Sequence, residues 1–504
     1  MKKIERYDLF EIEIKDVEDA GLVEYCAEFT NGDVKKMIPA FRSTAGIYKV
    51  RFMPEQTGIW KYRIVLGGRE QTGEFECADQ TGANHGPVVT EGYHFRYQDG
   101  EKYIPFGTTC YAWIHQTEEL QEQTLASLKD APFNKIRMCV FPKSMPYNNN
   151  DPDCYPFFKR ADGSWDVNAP DPAFWNKLDK RIEALIDLGI EADLILFHPY
   201  DRWGFALMSQ EDSLTYLEYC IARLSAYRNI WWSLANEYEM LYEKNYEDWD
   251  SYGEMLQNKD PYGHLISVHN ILGPYPKREW MTHCSIQSAD INSVVKWKKE
   301  YQIPVIIDEC GYEGNIEFDW GNLSAFEMTH RFWWTFFRGG YCTHGETFHR
   351  EDEVLWWAKG GKLYGESPKR IAFLKELMYS LPGGWDAVVQ EFGNPNVDKT
   401  DEAAVKQEER FMSLINSLPE HVRENMMVNT PMLIEGENFQ LRYYAHTCPS
   451  LVSLDLKEDK KYRIEIIDIW EMTRKLAAEG VSGKIRIGMP GKEGIVAVVT
   501  CLDK

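Results

Sequence analysis

The distribution of apolar and polar positions divides the chain into segments of different periodicity. In residues 1–79 apolar and polar residues alternate, for example from Trp60 to Ile64, which is typical of half-buried strands. The Asn31-Gly32 pair between two such runs predicts a β-hairpin. Because no helical periodicity appears, we expect a small antiparallel β-sandwich here, followed by a Gly- and Asn-containing linker.

The pattern changes in residues 80–385, where short apolar runs alternate with amphipathic segments. One of these segments starts at Asp171-Pro172, residues favoured at the cap and first turn of a helix, and continues with apolar residues at helical spacing. Strands that alternate with helices predict parallel βα units. The apolar runs number eight: YIPFGTT, KIRMCVF, ADLILFH, IWWSLA, HLISVH, CSIQS, PVIIDE and GYCTHGE. Eight such units predict a (β/α)8 barrel.

The C-terminal part returns to short alternating runs. Residues 386–429 are polar and helix-prone, which predicts a helical connector, and residues 430–504 are predicted to form a second β-sandwich. Phe439 and Leu441 alternate with polar neighbours, and the run IRIGMPGKEGIVAVV predicts a final hairpin. The predicted fold class is therefore α/β, a (β/α)8 TIM barrel flanked by two small β-sandwich domains.

Charge and composition exclude several classes of function. The 79 acidic residues exceed the 56 basic ones, and the formal net charge of −23 repels phosphate backbones and anionic lipid. We therefore expect neither nucleic acid nor a membrane as a partner. The N-terminal residues lack the apolar region of a signal peptide, and no run is long enough to span a membrane. The 11 cysteines are scattered without CxxC spacing, which favours reduced thiols and a cytoplasmic location.

Acidic residues at the ends of two predicted barrel strands are the strongest candidates for chemistry. The fourth run ends in Asn236-Glu237 and the seventh in Asp308-Glu309. Because the carboxyl ends of barrel strands meet at one mouth, we expect two carboxylates to face each other there. Hydrolysis of a glycosidic bond requires such a pair, one protonated and one ionised. Adjacent strand residues face opposite ways, so only one of Asp308 and Glu309 is expected to point into the mouth.

These motifs resemble those of the clan-A retaining glycoside hydrolases. The stretches GEKYIPFGTTCYAW and VLWWAKGGKLYGESPKRI further resemble the apiosidase-like branch of glycosidases, which has β-domains at both ends, and the resemblance covers essentially the whole chain. It implies that Glu237 is the acid/base and Glu309 the nucleophile, which leaves Asp308 a structural role. It also implies that Asn236 binds the sugar 2-hydroxyl and that Arg137, at the end of strand two, supports the nucleophile electrostatically.

One part of the clan-A pattern is missing. Many clan-A enzymes have a tyrosine near strand six that hydrogen-bonds the nucleophile, whereas the sixth strand here reads HCSIQSAD. His283, Gln287 and Tyr312 are the candidates to replace it.

Other residues near the predicted mouth are candidate sugar ligands. Histidines at strand ends can bond sugar hydroxyls, although each can equally be buried and bonded to the backbone. Tryptophan rings in loops offer flat apolar faces on which sugars stack, and we expect one of Trp356 and Trp357 to pack inward instead. The candidate substrate-binding residues beyond Asn236 and Arg137 are His198, His269, His344, Glu346, Trp113, Trp203, Trp356 and Trp357.

No metal or other cofactor is expected. Metal-dependent barrel hydrolases usually need a His-x-His motif on strand one, where this chain has Phe106–Cys110, and the spacing of His344 and His349 fits no standard ligand pattern. Neither GxGxxG after a strand nor GxSxG is present, which argues against a dinucleotide site and a serine esterase.

The sequence thus predicts a retaining, exo-acting glycoside hydrolase whose partner is a small carbohydrate substrate. Polymers do not cross membranes intact, so a cytoplasmic location favours short oligosaccharides or small-molecule glycosides. The long loop after strand eight, residues 346–368, favours exo action, and the branch resemblance implies a pentose such as apiose, arabinose or xylose. The alternatives are a catalytically inactive carbohydrate-binding barrel protein and a metal-dependent barrel hydrolase. Oligomeric state is left open.

Overall fold

The computed structural model describes residues 1–18, 20–388, 397, 400–427 and 432–503. The chain divides into two compact units. The first consists of Met1–Ala289, Glu300–Ala325 and Cys342–Pro368, and the second of Asp290–Lys299, Phe326–Tyr341 and Lys369–Lys504.

The N-terminal part of the first unit is a seven-stranded sheet. Its strands are β1 (Lys2–Glu5), β2 (Phe10–Lys15), β3 (Val23–Asn31), β4 (Val34–Thr44), β5 (Ile47–Phe52), β6 (Gly58–Leu66) and β7 (Arg69–Ala78), in the order β1-β7-β6-β3-β4-β5-β2. The predicted hairpin is confirmed, because Asn31 pairs with Val34 across a turn in which Gly32 has a φ of 58°. Phe10 on the edge strand β2 stacks on Phe75 of β7 with ring centroids 3.9 Å apart. The sheet therefore curls until its far ends meet across one core.

The strands β8 to β22 and the α-helices of the described residues follow, each in chain order. The next strands are β8 (Val88–Glu91), β9 (His94–Tyr97), β10 (Lys102–Tyr103), β11 (Gly107–Thr109), β12 (Lys135–Cys139), β13 (Phe157–Lys159), β14 (Trp165–Pro170), β15 (Glu191–Phe197), β16 (Ile230–Ala235), β17 (Ile266–Ser267), β18 (Cys284–Gln287), β19 (Val305–Glu309), β20 (Glu313–Gly314), β21 (Tyr341–His344) and β22 (Glu346–Thr347). The α-helices are α1 (Glu118–Asp130), α2 (Pro172–Asp187), α3 (Gln210–Leu224), α4 (Tyr246–Lys259), α5 (Val294–Tyr301), α6 (Ala325–Phe337), α7 (Trp356–Lys359), α8 (Ser367–Ser380), α9 (Glu402–Ser417) and α10 (Glu420–Met427).

Eight of these strands form a closed parallel barrel. They run in the order β17-β16-β15-β12-β11-β21-β19-β18, and a parallel bridge between His269 and Ser285 joins the two ends. They coincide with the eight apolar runs, so the predicted barrel is confirmed. The predicted start of α2 is also confirmed, since the Asp171 side chain accepts a hydrogen bond from Ala173 N and Pro172 opens the helix.

The second unit contains the strands β23 (Asp386–Val388), β24 (Met432–Gly436), β25 (Phe439–Tyr443), β26 (Leu451–Asp455), β27 (Tyr462–Asp468), β28 (Thr473–Val481), β29 (Lys484–Gly488) and β30 (Ile495–Cys501). They form a six-stranded sheet, β23-β24-β25-β30-β27-β28, and a two-stranded sheet, β26-β29. Leu454 and Ile487 of the small sheet share a core with Ile464 and Ala497 of the large one. The helices α9 and α10 lie where the connector was predicted, although Asp386–Val388 at its start is a strand. The remainder of that connector, residues 389–396, 398–399 and 428–429, lies outside the described residues.

The predicted final hairpin is wrong. β29 pairs with β26, whereas β30 pairs with β25 and β27. The glycine- and proline-containing segment between β29 and β30 therefore crosses from one sheet to the other. Both strands bury apolar residues against the shared core, and alternation along a strand does not reveal which sheet it joins. Within the described part of the chain, no helix is long and apolar enough to cross a membrane.

Candidate active site

Glu237 follows β16 at the carboxyl end of the barrel. Its backbone is left-handed, with a φ of 51°, so the chain turns sharply there and both Asn236 and Glu237 are buried at the mouth. Its carboxyl group accepts a hydrogen bond from the hydroxyl of Tyr200. Gln287, with its amide nitrogen turned toward the carboxyl group, donates to Oε1 at 3.0 Å.

Glu309 is the last residue of β19. Its carboxylate accepts a hydrogen bond from the hydroxyl of Tyr111, and Oε1 lies 3.8 Å from Nη1 of Arg137 and 3.8 Å from Nε2 of His269. Tyr111 is thus the hydrogen-bond donor to Glu309, and the guanidinium of Arg137 lies within electrostatic reach of it. The predicted electrostatic contact of Arg137 is thus present in the structure.

Asp308 has the structural role expected for it. It accepts hydrogen bonds from Lys135 at 2.7 Å, from Ser285 at 2.6 Å and from Thr343 at 2.7 Å, inside the barrel. Burial alone would raise the pKa of Asp308, but Lys135 and Arg137 outweigh burial and hold it below its usual range.

The expectation that Asp308 and Glu309 face opposite ways is wrong. The register between β18 and β19 shifts at this point, because Ile286 pairs with Ile307 and Gln287 with Glu309. The extra residue is Asp308, which makes this a β-bulge. Both carboxylates consequently lie on the inner side, with Asp308 deeper and Glu309 at the mouth.

The two glutamates belong to one site. Lys143 places its ammonium 3.5 Å from the ring centre of Tyr111 and 4.4 Å from that of Tyr200, the two tyrosines that donate to Glu309 and Glu237. Burial and the charge of Glu309 raise the pKa of Glu237 to about 7, while Lys143 and the hydrogen bond from Tyr200 oppose that rise. The carboxyl group of Glu237 therefore keeps its proton up to about neutral pH.

Buried donors without partners surround this pair. Among the described residues, the side-chain nitrogen of Asn236, the indole nitrogen of Trp357 and both ring nitrogens of His269 have no hydrogen-bond partner. Oδ1 of Asn236, by contrast, accepts from Arg137 at 3.4 Å. Since buried polar groups are nearly always hydrogen-bonded in folded proteins, these atoms are candidate contacts for an oxygen-rich ligand.

Two of the candidate histidines, His198 and His344, contact groups other than the two glutamates. His198 bonds the backbone carbonyl of Phe141 at 3.1 Å through Nε2, and burial lowers its pKa to about 3. His344 bonds Thr108 at 3.1 Å and stacks on Phe133, while its neighbour Thr343 reaches Asp308 inside the barrel. His344 therefore points out of the barrel, and its predicted contact with a sugar is wrong.

The four candidate tryptophans differ in their surroundings. Trp113 is 0% exposed and donates to the sulfur of Met138, and Trp356 is 2% exposed and donates to Thr108. Both are core residues, so the predicted stacking role is wrong for Trp113, whereas Trp356 packs inward as expected for one of Trp356 and Trp357. Trp357 packs edge-on against Tyr111, with ring centroids 6.0 Å apart. Trp203 is half-buried and donates to Asp151 at 2.9 Å.

One group of described residues has the composition of a metal site. Glu313, His344 and Glu346 offer ligand atoms that all lie within 4.8 Å of one another. Glu346 accepts from the backbone nitrogens of Tyr364 and Gly365, and Glu313 from those of residues 366 and 367. We interpret the two carboxylates as a clasp that holds this loop segment. Glu346 thus has a structural contact in place of the predicted sugar contact.

The hydrogen-bond donor to Glu309 is a residue that sequence reasoning missed. Tyr111, which follows strand one, donates to Glu309, whereas Gln287 of the sixth strand contacts Glu237. His283 lies between Phe95 and Trp231, and Tyr312 is buried with its pKa raised well above the usual range by burial and by Glu309. Tyr111 stands in the family-like stretch GEKYIPFGTTCYAW, which was the available signal.

Comparisons with known proteins identify three family models along the chain. Residues 89–390 match the family model "Apiosidase-like, catalytic domain", residues 3–67 match "Domain of unknown function (DUF5060)" and residues 429–499 match "Domain of unknown function (DUF5605)". No curated protein matches the chain.

Solved structures of other proteins are also similar to this chain. A protein from Bacteroides vulgatus ATCC 8482, provisionally described as a glycoside hydrolase, is 33% identical over 100% of both chains, with a TM-score of 0.85. A glycoside hydrolase family 5 protein from the same organism shares the fold, with 15% identity over 83% of this chain and 94% of its own and a TM-score of 0.59. The chain is a glycoside hydrolase and belongs to the apiosidase-like family.

Proposed function

We propose that the enzyme hydrolyses glycosides with retention of configuration, by double displacement at Glu309 and Glu237. The observation that carries this proposal is the contrast between the two carboxyl groups. Burial and the charge of Glu309 favour a proton on Glu237, with a pKa of about 7. Glu309 receives the hydroxyl of Tyr111 and faces Arg137, which favour its charge.

Each carboxyl group then has one role in each step. Glu309 attacks the anomeric carbon while Glu237 gives its proton to the leaving oxygen, which forms a covalent glycosyl-enzyme. Glu237, now ionised, takes a proton from water, and that water attacks the anomeric carbon and releases Glu309. Asn236 and His269 donate to sugar hydroxyls from the floor of the site.

We further propose that the substrates are short oligosaccharides or small-molecule glycosides, cleaved from one end, and that a pentose is released. The loop after strand eight supports exo action. The clasp of Glu313 and Glu346 holds the backbone of this loop, which also carries Trp357 beside Tyr111. All eleven cysteines lie in described residues and are free of disulfides, which supports the proposed cytoplasmic location. The N-terminal and C-terminal sheets are proposed as accessory sandwich domains.

The test compares variants on a panel of nitrophenyl pentosides and hexosides in both anomers. Glu309→Gln is expected to abolish turnover, while Glu243→Gln, an exposed acid beyond the mouth, serves as the matched control with unchanged kcat/KM. Proton NMR of the first product is expected to show the substrate's own anomeric configuration. Turnover by Glu309→Gln at the wild-type rate would reject Glu309 as the nucleophile, and an inverted first product would reject double displacement.

A further inference from the structure

Lys143 is a buried cation of the site that the proposed reaction does not use. Its side chain follows β12, and the residue is 3% exposed. The ammonium lies over the rings of Tyr111 and Tyr200, at 3.5 and 4.4 Å, and 5.6 Å from the ring centre of Trp357. Because the two tyrosines hold the two glutamates, the ammonium lies beside the space where the reacting sugar must sit.

This ammonium lacks oxygen acceptors. Among the described residues, no carboxylate lies within ion-pair distance of it and no oxygen accepts its hydrogen bonds; its partners are ring faces. Burial lowers the pKa of Lys143 accordingly. The half-buried Lys244 differs, because it also lies over two rings but donates to Met208 O and Ser213 Oγ, both at 3.1 Å. Ring faces offset only part of the cost of burying a charged amine, so a ligand that supplies acceptors would stabilise Lys143.

The charges around Lys143 indicate the kind of acceptor. The deeper charges cancel in pairs; they are Lys135, Arg137, Asp193 and Asp308. Of the charged groups that act on Lys143, Arg137 belongs to that cancelling set, and with Glu237 protonated the charge of Glu309 balances that of Lys143. Lys143 therefore lacks hydrogen-bond acceptors rather than a counter-charge. Neutral hydroxyl oxygens meet this need, whereas a substrate carboxylate would add negative charge beside Glu309.

We propose that Lys143 is a substrate-binding residue that donates hydrogen bonds to hydroxyl oxygens of a neutral sugar at the reacting position. It is thereby a specificity-determining residue for uncharged sugars. This inference rests on the proposed function, since it places that sugar between Glu237 and Glu309.

The first test is the kinetics of Lys143→Met, which keeps an apolar stem and removes the charge and the donors. On the neutral nitrophenyl glycoside that the wild type hydrolyses best, kcat/KM is expected to fall about 10- to 100-fold, the range for a lost hydrogen bond to a charged group. The alkaline limb of the pH profile is expected to move to higher pH, because Lys143 opposes the rise in the pKa of Glu237. This shift reports the charge of Lys143 acting on Glu237, whereas the fall in kcat/KM at pH values below the limb reports the contact with substrate. Lys244→Met is the matched control, with kcat/KM within about twofold of wild type.

Nitrophenyl uronides form the second arm. Wild-type enzyme is expected to prefer neutral glycosides over uronides. A wild-type preference for uronides that Lys143→Met abolishes would overturn the assignment to neutral sugars. A kcat/KM for Lys143→Met within twofold of wild type, with an unmoved alkaline limb, would overturn the binding role.

A binding measurement separates this inference from the proposed hydrolysis. The affinity of the same neutral glycosides for Glu309→Gln and for Glu309→Gln/Lys143→Met is measured by tryptophan fluorescence. The second variant is expected to bind at least about tenfold more weakly. That loss, together with an absence of turnover by the wild-type enzyme on the whole panel, would support Lys143 and reject the proposed hydrolysis, whereas equal affinities would reject Lys143 whatever the turnover.

Discussion

Glu237 shows how one residue's backbone and surroundings decide its chemistry. A left-handed conformation costs a non-glycine residue on the order of 1–3 kcal/mol and persists where neighbouring contacts compensate for it. Here Tyr200 and Gln287 hold the side chain, and burial with a like charge nearby keeps it protonated. Strain and an altered pKa thus occur at the same residue, as is common at catalytic sites.

The pH dependence of turnover follows from this environment. In the proposed mechanism Glu237 must be protonated to act as the acid, and its pKa of about 7 means that this form is lost as pH rises through neutrality. We expect kcat/KM to fall about tenfold per pH unit above about 7. Pre-steady-state or steady-state rates across pH 5–9 measure the limb.

Glu237→Gln supplies the control for this assignment. It should lack the alkaline limb and lose roughly 10²–10⁴-fold in rate on glycosides with poor leaving groups. An alkaline limb that persists unchanged in Glu237→Gln would assign the titration to another group.

At the scale of elements, two local irregularities build the site. The bulge on β19 turns Asp308 and Glu309 to the same side, and the left-handed residue after β16 does the same for Asn236 and Glu237. In a regular strand adjacent side chains point to opposite faces, so one member of each pair would point away from the interior of the barrel. Bulges re-aim side chains next to active sites for this geometric reason.

The loop that joins β22 to α8 depends on a close approach of its backbone to two carboxylates. A Cβ on Gly365 would lie 2.5 Å from an oxygen of Glu313 and 2.5 Å from an oxygen of Glu346, so only glycine fits without displacement. We expect Gly365→Ala to destabilise the enzyme by about 1–3 kcal/mol, the cost of overpacking. Because the same loop carries Trp357, kcat/KM should fall as well.

Denaturant unfolding and kinetics check this expectation together. The matched control is Gly273→Ala, since a Cβ there meets no atom within 4 Å. Equal stability and kcat/KM of the two variants would show that the clasp does not position the loop.

At the scale of the whole molecule, a buried ion network joins the N-terminal sheet to the barrel within the first unit. Arg51 of β5 makes two hydrogen bonds to Asp179 of α2, at 3.0 and 2.7 Å, and one to the carbonyl of Arg223 of α3 at 2.9 Å. Burial raises the pKa of Asp179, but the two arginines outweigh it and lower the pKa. Asp179 therefore stabilises the fold at neutral pH, and this contribution is lost as pH falls.

Arg51→Met tests the contribution of this network. Removal of one member of a buried ion network leaves charge uncompensated, so we expect the free energy of unfolding to fall by about 3 kcal/mol, with kcat/KM unchanged. Arg63→Met removes an exposed ion pair with Glu70 and should cost less than about 1 kcal/mol. A loss for Arg51→Met no larger than for Arg63→Met in urea unfolding would contradict the network's role.

The sequence by itself determined the barrel strands, the start of α2 and the positions of Glu237 and Glu309 at the ends of strands. Periodicity is a local property, so the barrel strands and the start of α2 could be predicted residue by residue. Glu237 and Glu309 could be predicted because each directly follows an apolar strand, and strand ends in a barrel converge at one mouth.

Only the tertiary structure decided which other side chains contact Glu237 and Glu309. Tyr111, Lys143, Tyr200 and Gln287 come from different strand ends and loops, and their contacts depend on how these segments pack rather than on local sequence. The same reason explains the errors, since the burial of Trp113 and the outward direction of His344 depend on neighbours far away in the chain. Local patterns specify where strands end, whereas side-chain partners are set by contacts across the closed barrel.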